Sequence, residues 1–474
     1  MTEVLKPDIC VIGAGSAGLV VAAGGSQMGA EVVLIEKGKM GGDCLNYGCV
    51  PSKALLAAGK AAVAGAGTPA FGVDYAAPGI DFQRVHDHVH GVIAGIAPVD
   101  SVERFQGLGV EVVKAEARFT SPREVLADGR RIQARRFVVA TGSTPLVPPI
   151  PGLDQVSYLT NETAFDLTER PRRLIVIGGG AIGCELGQAF RHLGSEVAIL
   201  EMAAILPKDE PETVAVLRQV LRRDGVELLE HSKVTRVESG GQGVVVHFER
   251  DGEAGRVEGD RLLVAAGRQP GVEGLGLEAA GVAYDRRGIT VDRRLRSSNR
   301  KVYAIGDVAG GLQFTHVAGY HAGVALKNIL FRLPAKADTR AVPWVTYTEP
   351  EVAQVGLTEA QAREAHDAIR ILRWPFAEND RAQAERRTGG LVKAVTTGRG
   401  RVLGCSIVGA HAGELILPWV LAISAGLKIG ALAQAVAPYP TFSEVSKRAA
   451  GGFYTPSLFS DRTRRLVRFL RMFG

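Results

Sequence analysis

Twice along this chain the same hydrophobic pattern recurs: a short apolar run, a glycine-rich turn, a segment of helical period, and a second apolar run that stops on an acid. In the first copy residues 8–12 read as a buried strand, GAGSAG from Gly13 to Gly18 as the turn into a helix, and residues 31–35 as a second strand ending at Glu36. In the second copy the strand is 174–177, the turn GGGAIG from Gly178 to Gly183, the helix runs through Leu193, and the strand 196–200 ends at Glu201. Runs that stay apolar without alternating suit strands covered on both faces. The pattern therefore predicts α/β architecture with parallel sheets.

Between and after these units the pattern is less regular. An Ala-rich helix is expected from about 51 to 65, followed by a poorly patterned region to about 109 that holds His86, His88 and His90. Those histidines have no cysteine or carboxylate partner set and read as a solvated face rather than metal ligands. Residues 137–140 form a further buried strand, and the proline-rich PLVPPIPG ending at Gly152 marks a boundary. Residues 234–248 read as a hairpin, 262–266 as a returning strand before GRQPG, and 302–305 as a strand ahead of Gly306 and Asp307. A carboxylate at Asp307 suits either a ligand hydroxyl or a helix cap. From about 341 onward alternating segments predict antiparallel strands, with helices at 359–365 and 413–425.

Glycine, strand, helix and acid together make a dinucleotide-binding fingerprint. Gly13 and Gly178 make the turn, Gly15 and Gly180 let the backbone approach a pyrophosphate, Gly18 and Gly183 allow helix packing, and Glu36 and Glu201 face a ribose. Two fingerprints imply two dinucleotides. A carboxylate at Glu201 accepts from a ribose 2′-hydroxyl and repels a 2′-phosphate, so NADH is expected over NADPH.

The length of 474 residues allows several domains. A net charge of +6, with no basic run interleaved with aromatics, points away from nucleic acid. With the first strand starting at residue 8 and the longest apolar stretch, 415–427, short for a bilayer, a cytoplasmic protein is expected. Its five cysteines are scattered, except for one pair. Cys10 and Cys184 read as core residues.

That pair, Cys44 and Cys49 in GGDCLNYGCVPSK, is where the chemistry concentrates. In an ideal helix Cα atoms five residues apart lie roughly 8 to 9 Å from each other, beyond the roughly 4.4 to 6.8 Å a disulfide accepts. A bridge would bend the first turn, with Gly48 giving way. Strained, accessible bridges are the labile kind.

These motifs make the chain resemble the flavin-dependent pyridine nucleotide-disulfide oxidoreductases, the class of dihydrolipoamide dehydrogenase, glutathione reductase and mercuric reductase. GGDCLNYGCVPSK, the ATG of Ala140 to Gly142, AIGDVAGG around Asp307 and VPWVTYTEPEVAQVGLTE carry the resemblance in order and spacing. It implies two Rossmann-like dinucleotide-binding domains plus a C-terminal α+β dimerisation domain. FAD would bind through 1–150 and 271–340, with Gly13, Gly15, Gly18, Glu36, Gly42, Thr141, Gly142 and Asp307 as contacts. NAD would bind through 151–270, at Gly178, Gly180, Gly183, Glu201 and Gly267, and a homodimer would form through 341–474. The implied relay runs from NADH through FAD to the disulfide, entering at Cys49 and leaving through Cys44 to a small-molecule or metal-ion substrate. Lys53 and Glu185 resemble the family's ion pair beside the flavin. A cysteine at a helix start next to a lysine should also have a lowered pKa.

The chain departs from the disulfide-exchanging members near its end. Where they carry a His-Pro motif followed by Glu, this sequence reads APYPTFSE, with Tyr439 in the histidine position and Glu444 retained. A phenol, with an ordinary pKa of about 10, is a poor proton acceptor near neutrality. Tyrosine here is similar to mercuric reductases and soluble transhydrogenases. The former carry a C-terminal cysteine pair that RFLRMFG lacks; the latter lack the cysteine pair present here. The leading expectation is electron delivery to a metal ion or other electrophile. Dihydrolipoamide dehydrogenase activity is one alternative, and direct flavin chemistry toward a nucleotide, quinone or oxygen with dispensable cysteines is another.

One feature falls outside the resemblance. From Arg462 onward Leu466, Val467, Phe469, Leu470 and Phe473 share one helical face, and Arg464, Arg465, Arg468 and Arg471 the other. Residues 462–473 read as a helix docked on the dimer or on its own domain, the commoner use of such a stripe, or as a peripheral contact with an anionic membrane.

Overall fold

The computed structural model describes residues 4–241 and 243–474. The chain divides into two compact units: 1–178 with 189–202 and 232–338, and 179–188 with 203–231 and 339–474.

In the first unit a five-stranded parallel sheet gathers Ile9–Ile12 (β1), Val32–Ile35 (β2), Glu111–Val113 (β3), Arg136–Val139 (β4) and Val302–Ala304 (β5), in the order β5-β4-β1-β2-β3. Successive residues of β1 point to opposite faces, and both faces are dry. Ile9 and Val11 join one apolar cluster with Leu19, Val138 and Ala325, while Cys10 and Ile12 join another with Val33, Phe137 and Val139. Two covered faces explain why these strands are apolar without alternation. Burial pushes the Cys10 thiol far up, so it is inert packing.

The first glycine turn feeds Ser16–Gln27 (α1). Gly13 has φ +103°, and a Cβ there would lie 2.4 Å from the Ala140 carbonyl oxygen. The same unit contains the parallel trio 173–177, 196–200 and 261–264, and a three-stranded antiparallel meander over 232–240, 243–250 and 253–259. The expected hairpin is thus the first two strands of a meander. Its third strand, EAGRVEG, has one buried apolar side chain, Val257, and shows no readable alternation.

The poorly patterned region contains a well-formed helix, Phe82–Ile96 (α4), whose N-cap Asp81 accepts from the Arg84 N–H at 3.3 Å. Only Phe82 and Val89 on it are buried, which leaves too thin an apolar stripe to be read. The His86 and His90 rings lie with centroids 4.2 Å apart, tilted by 39°, and the His90 ring lies 3.1 Å from the Phe165 carbonyl.

In the second unit Pro343–Thr346 (β6), Glu351–Gly356 (β7), Ile369–Pro375 (β8), Leu391–Thr397 (β9) and Val402–Gly409 (β10) form an antiparallel sheet ordered β6-β7-β10-β9-β8. Its core contains Val355, Phe376, Ile407 and Trp419. A buried lysine on β9 anchors a second feature of this unit. Lys393 Nζ lies 2.7 Å from Glu210, 2.8 Å from Glu359 and 3.0 Å from Glu212, with its side chain 4% exposed.

Candidate active site

The two cysteines do not share one helix. Cys44 lies in the short helix Gly42–Asn46 (α2), and Cys49 opens Cys49–Val63 (α3), with Tyr47 and Gly48 between them. This break shortens the separation that a continuous helix would impose. Gly48 is needed for close approach rather than for a left-handed conformation. Its φ is −124°, and a Cβ would come within 2.8 Å of Asp43 Oδ2 and 3.3 Å of the Cys44 Cα.

Both cysteines are free thiols in the structure, Cys44 half-buried and Cys49 exposed. They titrate as an unequal pair. The Cys49 pKa is lowered to about 6, first by the hydrogen bond from Cys44 against the cost of burial, then by Thr315 and the charge of Lys53. Cys44 moves the opposite way, because it donates to Cys49 and is partly buried, while hydroxyls of Thr315 and Ser16 pull it back. Cys49 also stands at the first position of α3, where the helix end favours an anion. The arrangement is one thiolate, Cys49, held by one thiol, Cys44.

Thr315 opens the helix Thr315–Leu330 (α5), and its Oγ1 lies 3.3 Å from Cys49 Sγ. Lys53 lies one turn along α3, its Nζ 3.4 Å from Ser52 Oγ. Glu185, on the helix 181–192, is buried and accepts from the Tyr347 N–H at 2.9 Å.

A polar chain ties the cysteine loop to Asp307. Arg268 Nη2 lies 3.1 Å from Asp43 Oδ1, Arg268 Nε donates to Ser143 Oγ at 2.7 Å, and Ser143 Oγ donates to Asp307 Oδ2 at 2.6 Å. Asn161 donates to Asp43 Oδ1 at 3.2 Å and to the Tyr47 carbonyl at 3.0 Å. Burial raises the Asp307 pKa, opposed by Ser143 and Arg268. Immediately before Asp307, the Gly306 N–H donates to His321 Nδ1 at 3.3 Å.

The first glycine turn fits a dinucleotide. A Cβ on Gly15 would meet only Gly42 Cα at 3.9 Å, whereas one on Gly42 would come within 2.7 Å of Gly15 Cα, so two bare backbones meet over an open face. Glu36 accepts from the Ala14 and Gly38 N–H groups, both at 2.6 Å, which fixes its carboxylate at the end of β2 with lone pairs to spare. Gly18 must be glycine, since a Cβ would lie 1.9 Å from the Gly13 carbonyl oxygen. Thr141 Oγ1 donates to the Gly271 carbonyl at 2.7 Å, and Gly142 has φ +68°.

At the second turn Gly178 has φ +113°, and a Cβ would lie 2.3 Å from the Ala265 carbonyl oxygen. A Cβ on Gly180 would meet nothing within 4 Å, which is the open approach a pyrophosphate requires. Gly183 is buried, Gly267 has φ +128°, and Glu201 follows the strand 196–200.

Tyr439 is 70% exposed, donates from Oη to Asp380 Oδ2 at 3.1 Å, and precedes the cis-linked Pro440. That hydrogen bond, then the charge of Asp380, pushes the phenol pKa further up. Glu444 opens the helix Glu444–Gly451 (α6).

Several residues of this constellation carry no local signal. Thr315, Ser143, Asn161 and His321 sit in ordinary polar contexts, and their roles come from contacts made across long stretches of chain. Ser16 and Arg268 were findable, the one inside the first fingerprint, the other directly after Gly267.

Residues 7–322 match the family model described as pyridine nucleotide-disulphide oxidoreductase, and residues 342–450 match the dimerisation domain of the same family. A mercuric reductase of Bacillus cereus is 37% identical over 93% of this chain and 70% of its own length. A dihydrolipoyl dehydrogenase of Staphylococcus aureus is 38% identical over 94% of this chain and 96% of its own. Among solved structures, the Cu(II) complex of the HOCl-induced flavoprotein disulfide reductase RclA from Escherichia coli aligns with TM-score 0.83 and 29% identity over 92% of this chain and 98% of that one. LpdA from Mycobacterium tuberculosis aligns with TM-score 0.86 and 28% identity, over 94% and 99% respectively.

Proposed function

The chain belongs to the pyridine nucleotide-disulphide oxidoreductases, FAD-dependent enzymes that use a pyridine nucleotide, and on that premise we propose that it passes electrons from NADH to a thiol-reactive acceptor, a metal ion or other electrophile. The observation that carries this reading is the unequal cysteine pair: a Cys49 thiolate held by the Cys44 thiol, with no histidine at position 439.

Bound FAD supplies the two-electron connection between the nicotinamide and the cysteine disulfide. Gly13, Gly15, Gly18, Glu36, Gly42, Thr141, Gly142 and Asp307 would hold it, in the domain made by 1–150 with 271–340. Gly178, Gly180, Gly183, Glu201 and Gly267 would hold NADH in 151–270, with Glu201 disfavouring a 2′-phosphate. Lys53 would lie beside the isoalloxazine, and its charge already favours the Cys49 thiolate.

Two electrons and a proton from NADH, with one further proton from solvent, convert the disulfide to two thiols. Cys49 is the sulfur through which electrons enter. Cys44, the outer sulfur, meets the acceptor; a soft metal ion displaces its proton and is bound by both sulfurs. Such a substrate needs no base to regenerate a leaving thiol. That requirement suits Tyr439, whose phenol is tied to Asp380 and pushed away from neutrality. The mercuric reductase relatives and the copper complex of RclA support the same acceptor class.

The dimerisation domain supports a homodimer through 341–474, in which Tyr439 and Glu444 of one subunit would approach the cysteines of the other. A dithiol that must stay reducible suits a reducing compartment, so we place the enzyme in the cytoplasm.

A second reading, dihydrolipoamide dehydrogenase, is favoured by the near full-length match to that enzyme's own chain. Anaerobic titration of the holoenzyme with NADH and with NADPH, followed by Hg(II), Cu(II), lipoamide and glutathione disulfide, separates the two. Uptake of more than two electrons per flavin followed by rapid metal reoxidation supports the proposal. Rapid lipoamide turnover would replace it with the second reading.

A further inference from the structure

The dimerisation-domain match ends at residue 450, yet the chain continues into a helix, Asp461–Leu470 (α7), that the redox chemistry does not use. Ser460 caps it, accepting from the Thr463 N–H at 3.3 Å, and Thr463 Oγ1 donates to the Ser457 carbonyl at 2.7 Å. These contacts root the helix at its first turn. Beyond them nothing in its own unit covers it: no residue of α7 is buried, and Leu466, Val467, Phe469, Leu470 and Phe473 are 51 to 73% exposed. The expectation that this stripe caps its own domain is therefore not met.

At 100° per residue the five apolar side chains span about 160° of the helix surface, and Arg464, Arg465, Arg468 and Arg471 occupy about 120° on the other side. Residues 461–473 contain five arginines against one acid, Asp461, which itself lies 3.9 Å from Arg464. We propose that α7 is an interfacial anchor that lays its Leu/Val/Phe face into an anionic lipid surface, with the arginines on the headgroups.

Charge complementarity favours lipid over a second copy of the helix. Two copies packed face to face would bring two sets of arginines together without compensating acids, whereas an anionic bilayer neutralises them and takes up the aromatic and aliphatic face. The short apolar continuation at Leu458 and Phe459, 58% and 69% exposed, lies immediately upstream. In a homodimer two such helices would act together, so weak single contacts add by effective concentration.

The test uses the full-length FAD-loaded protein and flotation with vesicles of phosphatidylcholine alone or mixed equally with phosphatidylglycerol. Binding to the mixed vesicles about tenfold or more above neutral ones, weakening as salt is raised, is expected. Leu466→Glu with Phe469→Glu, and separately Arg464→Gln with Arg468→Gln, should each lose it while NADH still bleaches the flavin. Absence of binding, or equal binding to neutral vesicles, would overturn the proposal. So would loss of the dimer in light scattering for the Glu variant with vesicle binding intact, which would assign the face to the partner subunit. Vesicle binding is read without any acceptor, so its failure and that of the proposed redox function are distinguishable.

Discussion

Thr315 Oγ1 lies 3.3 Å from Cys49 Sγ across 266 residues of chain, so the first residue of α5 delivers a hydroxyl to the sulfur of the residue that opens α3. A hydrogen bond to a charged group contributes about 1.5 to 3 kcal/mol, and one pKa unit is 1.36 kcal/mol. Thr315→Val should raise the Cys49 pKa by roughly one to two units. Ultraviolet thiolate absorbance of the reduced enzyme against pH would show the shift; an unmoved curve would remove Thr315 from the site.

Cys44 is the largest influence on the same sulfur. In the wild type Cys49 is a thiol below about 6 and a thiolate above it, so alkylation of Cys49 should rise through that pH rather than near 9. Cys44→Ala removes the donor and should move the rise toward the ordinary thiol value. Peptide mapping after iodoacetamide at a series of pH values reads both.

Tyr439→His supplies an acceptor with an ordinary pKa of about 6.5 in place of a phenol. Proton transfer of that kind contributes about a hundredfold to ten-thousandfold, and lipoamide turnover should increase by a factor in that range, with a new rise in rate above the imidazole pKa. Metal reduction should change little. Equal effects on both substrates would show that position 439 does not discriminate between them.

Lys393 contacts three carboxylates while itself almost fully enclosed. Burial alone would lower its pKa; the hydrogen bonds it donates to Glu210, Glu359 and Glu212 raise it instead. Lys393→Met takes away the ammonium that buried Glu210 contacts, while Glu359 keeps Arg363 and Glu212 keeps Arg373, and should cost about 3 to 5 kcal/mol. The pH response should also invert. In the wild type the hydrogen bond from Lys393, then that from Arg363, lowers Glu359 to about 2, so its contribution is present above the unfolded value of 4.5 and lost as pH falls toward 2. In the variant mutual repulsion raises the carboxylate pKa values, and mild acid should relieve the instability. Thermal melts at several pH values decide it.

How much of this was legible in the chain varied with the range of the interaction. The first sheet was readable because Cys10, Val33 and Phe137 lie in strands buried on both faces, which leaves no room for polar residues. The helix 82–96 was not, because its buried side chains are Phe82 and Val89 alone. Gly13, Gly18 and Gly178 announced themselves, since carbonyl oxygens stand within 2.4 Å of where their side chains would start.

By itself the sequence determined two glycine turns with their acids, the spacing of Cys44 and Cys49, and the absence of a histidine at 439. Each is a local property, carried by residue type and spacing. Only the tertiary structure decided that the cysteines straddle a helix break, that Thr315 and Ser16 reach them, that Arg268 links Asp43 through Ser143 to Asp307, and that α7 stands uncovered. Those outcomes depend on contacts between segments far apart in the chain, where no spacing rule operates and geometry alone selects which polar groups meet.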